Sequence, residues 1–171
     1  MLALLAFPLA ARAQSASAAP TERELTFDVD AASVTISLAT RLSDRLSVGA
    51  GAGGGLSPIL GATWARGTHY DAAPNVHLLD VVGAQGFVRL ALLPWLRVDT
   101  GLRAALFVHG QEDFTAGQSL SGYVMPSFGW RWLSIGTRVS AGWLREGQSG
   151  TAAALALDFL IVRVSMVTTP R

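Results

Sequence analysis

The chain has 171 residues, 50% of them hydrophobic, with no cysteine and a formal net charge of +1; all 13 basic residues are arginine. That length suits one domain, and the missing cysteines exclude disulfide support and thiolate chemistry. The near-neutral charge argues against an electrostatic nucleic-acid binder, so no nucleic-acid partner is expected.

The opening MLALLAFPLAARAQ reads as a secretory signal, residues 1–13, with the A-x-A pattern Ala11-Arg12-Ala13 before the cut. Residues 14–23 are small, polar and proline-containing, as expected of a flexible mature N-terminus. No later stretch has the roughly 18 unbroken apolar residues of a spanning helix. The run from Ala152 to Val162 is too short and contains Asp158.

From residue 24 the hydrophobicity alternates with a period of two, which marks strands with unlike surroundings on their two faces. Leu25, Phe27 and Val29 face one way; Glu24, Thr26, Asp28 and Asp30 face the other. The parity flips at Ala31-Ala32, which requires a turn or a bulge. Ser33 to Leu42 then places Val34, Ile36 and Leu38 opposite Thr35, Ser37 and Arg41. After a turn at Ser43-Asp44, Arg45 to Gly53 returns with Leu46, Val48, Ala50 and Ala52 on its apolar side.

Residues 54–75 show no clear period and read as a long loop. His77 to Leu92 sets Val82, Ala84, Val88 and Leu90 against Gln85 and Arg89. Leu93-Pro94 turns the chain. Leu96 to His109 places Leu102, Ala104 and Leu106 outward and Arg97, Asp99 and Arg103 inward. A polar loop, 110–118, leads to a strand from Ser119 to Trp130, a turn near Arg131, and Leu133 to Arg145. That segment sets Ile135 and Val139 against Arg138. Thr151 to Val167 closes the chain. Its parity slips near Leu160, so a bulge is expected that keeps Asp158 and Arg163 on the same side.

The pattern gives an all-β fold over 24–168, an antiparallel up-and-down transmembrane barrel of eight strands. Seven strands with one long bent strand is the alternative, because the first segment is short. Trp95, Trp130 and Trp132 flank the short turns, where an interfacial aromatic girdle belongs; Trp143 and Phe107 lie toward the opposite ends. The inner face would hold Glu24, Asp28, Asp30, Arg89, Arg97, Asp99, Arg103, Arg138, Asp158 and Arg163. Small barrels are filled by side chains, and buried charges must be paired, so an arginine–carboxylate ladder is expected to plug the lumen.

Other chemistry is thinly represented. The glycine run at 49–55 lacks the Gly-Lys-Ser/Thr ending of a phosphate loop and is read as room for close strand packing. His69 and His77 lie near Asp71 and Asp80, but the spacing is not that of a metal site. No nucleophile elbow marks a hydrolase. The expectation is therefore no enzyme activity, no cofactor and no metal.

Segments such as RLSDRLSVGAGAG (41–53) and LLPWLRVDTGLRAALF (92–107) resemble the small eight-stranded outer-membrane proteins, the group that includes the OmpA transmembrane domain, OmpX and OmpW. The resemblance covers roughly residues 24–168. It implies a location in the bacterial outer membrane, lipid as partner, and exposed loops on one side. On that reading the role is structural or one of surface interaction. Loop 54–75 would meet a surface ligand or a protein partner through Trp64, Arg66, His69 and Tyr70. Two alternatives stand beside it: a small-solute pore, and a secreted soluble β-sandwich or lipocalin-like binder whose core would be Leu102, Leu106, Ile135 and Val139.

Overall fold

A computed structural model describes residues 22–30, 33–57, 61–67, 70–74, 78–109, 115–146 and 150–168. Among these described residues ten strands run in chain order: β1 Arg23–Val29, β2 Ser33–Arg41, β3 Leu46–Ser57, β4 Gly61–Gly67, β5 Tyr70–Pro74, β6 Leu78–Leu93, β7 Leu96–His109, β8 Thr115–Gly129, β9 Leu133–Glu146 and β10 Gly150–Thr168. Eight of them pair antiparallel in the order β1-β2-β3-β6-β7-β8-β9-β10, and β1 pairs back onto β10. The sheet is a closed up-and-down barrel, and closure leaves its staves without free edges.

The eight staves are those marked by the two-residue period. The turns at 42–45, 94–95 and 130–132 lie at one end with Arg23 and Thr168. The Pro94-Trp95 turn is the tightest, with Leu93 and Leu96 already paired across it. The strand ends joined from β3 to β6, β7 to β8 and β9 to β10 lie at the other end, whereas β1 and β2 meet part-way up the wall, at the level of Val162. Asp30 ties the β1–β2 junction by accepting the backbone N–H of Ser33 at 2.8 Å through its side chain.

The bulge in β10 falls where the parity slip places it. Asp158 pairs with Arg138 and Ile161 with Gly136, so Phe159 and Leu160 together oppose Thr137. Two residues against one is the geometry that returns Asp158 and Arg163 to the same face. Phe159 and Leu160 are both exposed outside, and Asp158, Ile161 and Arg163 are all buried inside.

Residues 54–75 differ from the loop read in the sequence. β3 continues to Ser57, and the segment then forms a hairpin, β4–β5, with β4 paired onto β10 from Gly61↔Asp158 to Gly67↔Ala152. β1 uses the other half of the same edge, from Val29↔Val162 to Arg23↔Thr168. β4 therefore extends the line of β1, and β5 lies beside β4 as β2 lies beside β1. Staves one and two are built in two storeys from distant parts of the chain. Periodicity reports local burial and is blind to such a non-local pairing.

The molecule is inverted relative to a soluble barrel. Leu102, Leu106, Ile135 and Val139 are exposed on the outer wall, Leu102 by 63%. The sheet closes on itself instead of splitting into two packed layers, so these residues are not the core of a sandwich, and the charged interior is the opposite of a lipocalin's apolar cup. The interior mixes polar groups with a small cluster of Ala39, Phe87, Tyr123, Met125 and Ile161. Phe107 belongs inside as well, fully buried in the lumen and not at the outer rim.

Candidate functional site: the charged lumen and its two ends

Strand alternation points one residue in two into the lumen, and at six of those positions the chain places charges that form a single chain of contacts. Arg97 Nη1 lies 3.5 Å from Glu24 Oε1, and Arg89 Nη1 lies 2.9 Å from Glu24 Oε2. Arg89 donates through Nε and Nη2 to the two oxygens of Asp99 at 2.8 and 3.0 Å. Arg163 Nη1 reaches Asp99 Oδ2 at 2.8 Å. Arg163 then forks onto Asp28 at 2.6 and 2.8 Å. Along this ladder positive and negative groups alternate, so each charge has opposite neighbours, the condition under which buried ions persist. The fork-to-carboxylate geometry is the strong, charge-assisted form.

Two kinds of contact build the ladder. Asp28–Arg163 and Arg89–Asp99 are direct cross-strand partners, as are Arg138 and Asp158, which pair separately at 2.8 Å. The other contacts cross the lumen. Arg163 on β10 meets Asp99 on β7, and Arg89 on β6 meets Glu24 on β1. In the ring of staves β1 stands opposite β7, and β10 opposite β6. The ladder thus ties the two halves of the wall together through the centre.

Of the ten luminal charges read in the sequence, eight occupy these pairs. Arg103 lies with its guanidinium against the inner face of Gly83, and Asp30 serves the β1–β2 turn.

Uncharged groups complete the plug, and here the periodicity alone was uninformative about contacts. Gly51 pairs with Ser37 on one side and Gln85 on the other. With no side chain between them, Gln85 Nε2 donates to Ser37 Oγ at 3.2 Å. A Cβ on Gly49 would run into the Phe87 ring, and one on Gly117 into the Phe107 ring. The glycine run therefore gives a low strip over which side chains of β6 lie. The guanidinium of Arg89 stacks on Phe87, 5.2 Å from the ring centroid.

At the short-turn end the aromatic residues gather outside the wall. Trp95 stacks on Phe128 and Trp130 on Trp132, with centroids 6.2 and 6.3 Å apart. All three tryptophans are exposed, as is Trp143 near the other end. Trp132 and Trp143 are eleven residues apart on one stave. At about 3.3 Å per residue and a tilt near 40°, that spans about 28 Å along the barrel axis. At the long-loop end, Trp64 and Arg66 are in β4 and Tyr70 opens β5. His69 lies outside the described residues, as does His77. Among the described residues, no three His, Cys, Asp or Glu side chains converge as metal ligands would.

No family model matches the chain, and no curated protein matches its sequence.

Proposed function

We propose that the protein is a non-catalytic outer-membrane barrel with a structural and surface-interaction role, anchored by lipid contact and closed to solutes. The inversion of the wall supports this reading. Exposed Leu102, Leu106, Ile135 and Val139 form an outer belt, while Arg163, Asp99 and Asp28 are buried within. Water outside would leave the belt solvated and the charges desolvated, the costly choice for both. Lipid outside removes the first cost, and the ladder offsets the second. The spacing of about 28 Å between tryptophans at opposite ends matches an apolar band of about 25 Å flanked by aromatic girdles.

The ladder fills the space that a small-solute pore would need, so the pore reading is not favoured. The expected result in planar bilayers is no stable single-channel current; a steady conductance would remove the plugged-lumen role. Surface recognition falls to the long-loop end, where the β4–β5 hairpin carries Trp64, Arg66 and Tyr70; a cell-surface ligand or protein is the partner expected there. The experiment that tests the whole reading is membrane fractionation followed by gel migration of unboiled and boiled samples. Recovery from the outer-membrane fraction with heat-shifted migration is expected. A soluble protein with no shift would overturn it.

A further inference from the structure

The short-turn mouth of the barrel holds a recess of about 210 Å³. That is more than one water needs, and less than the roughly 300–1,000 Å³ of drug-sized sites, so it suits a small polyatomic ion or a headgroup fragment. Arg41, Arg45, Arg89, Arg97 and Arg131 line it, against the carboxylates of Glu24 and Asp44. Those carboxylates are already engaged: Glu24 is shared between Arg89 and Arg97, and Asp44 is fully exposed and pairs with Arg41. Glu22, just outside, is shared between Arg41 and Arg131. Five guanidiniums thus meet three carboxylates at this mouth.

The floor of the recess is held rigid. Arg89 is 3% exposed and commits Nε and Nη2 to Asp99. Its remaining nitrogen, Nη1, faces Glu24 at 2.9 Å, so the guanidinium is fixed in place beneath the arginines of the lip.

We propose that this recess binds a phosphoryl group, either free or carried on a lipid headgroup. A single arginine fork satisfies a planar carboxylate. Guanidiniums arriving from β2, β6, β7 and the turns at 42–45 and 130–132 surround a point from several directions, which fits the oxygens of a tetrahedral dianion. Arg45 and Arg131 form the outer lip and Arg89 and Arg97 the floor. Glu24 holds the floor arginines in place and limits how deep the anion goes. The tryptophan girdle sets this lip at headgroup depth if the barrel spans the membrane as proposed above.

The test uses the folded barrel in a maltoside detergent at low ionic strength, with inorganic phosphate as the soluble probe and calorimetry as the readout. Lipid nanodiscs of phosphatidylglycerol or phosphatidylcholine supply the other source, read by thermal stability. Phosphate binding that weakens roughly tenfold in Arg45→Ala or Arg131→Ala, the loss of one charge-assisted contact, establishes a site for free phosphoryl groups. Stabilisation by phosphatidylglycerol alone, lost in the same variants, assigns the site to headgroups. Arg23→Ala is the control, because Arg23 is exposed at the same end but does not line the recess. Absence of both effects, or an equal loss in Arg23→Ala, overturns the proposal. Heat-shifted migration of every sample keeps a failure of the barrel reading distinct from a failure of this site.

Discussion

The two ends of the barrel solve closure differently. Toward the short turns, eight continuous staves surround three arginines and three carboxylates joined in one ladder. Toward the long loops, staves one and two are completed by a borrowed hairpin, and the inner face turns to Gly51, Gly53, Ala105, Gly117 and Ala152. The lower half is held by interactions that cross the lumen. The upper half is held by strand pairing, small-residue packing and the separate cross-strand Arg138–Asp158 pair. A rigid base and a lightly fastened rim is the division expected when recognition sits on loops carried by a scaffold.

That contrast can be broken by experiment. The largest effect is expected from Arg163→Met, which leaves Asp28 and Asp99 buried without their shared cation. A loss of about 3–5 kcal/mol is expected, measured by reversible urea unfolding in lipid vesicles. A triple variant that also carries Asp28→Leu and Asp99→Asn should recover part of it. Next is Leu102→Arg on the outer wall, with an expected loss of about 2–4 kcal/mol if the position faces the bilayer centre. An unchanged stability there would count against the facing, whatever the state of the lumen.

A smaller effect separates space from charge. Gly49→Val drives a side chain into the Phe87 ring and the Leu38 carbonyl, and overpacking of this kind costs about 1–3 kcal/mol. Gly86→Ala is its partner control, since a Cβ there meets nothing within 4 Å; its melting temperature should stay near that of the parent. The smallest effect is expected from removing the hairpin. Ser57 and Leu78 already pair, so an Asn-Gly turn can join them directly. The shortened chain should keep its heat-shifted migration. Failure to fold would show that the upper storey is as necessary as the base.

Much of this arrangement is legible in the sequence because a barrel wall writes its facing into a period of two. Val34, Ile36 and Leu38 opposite Thr35 and Ser37 need only local information, and so does the slip at Leu160. The charges on the polar faces were readable for the same reason. What alternation lacks is depth and partner. It places Arg163 and Asp99 on the inner side of two strands, but their contact depends on closure and stagger. The hairpin was hidden because its pairing partner, residues 152–158, lies more than eighty residues away. Phe107 reads as a rim aromatic by its position near a strand end, yet its parity with Arg103 sends it inward, where Gly117 leaves room for it.

The Asp28–Arg163 pair has a consequence for assembly. β1 and β10 are the first and last staves, so their contact exists only once the ring shuts. A slip of two residues at that seam would keep every apolar side chain outside and would leave the character of the outer wall unchanged. It would, however, set Asp28 opposite Ile161 or Ser165 of β10 and strand both charges in a dry interior. The pair therefore acts as a checksum on stagger: among the closures that hydrophobicity alone would accept, it admits the one shear at which the last carboxylate meets the last guanidinium.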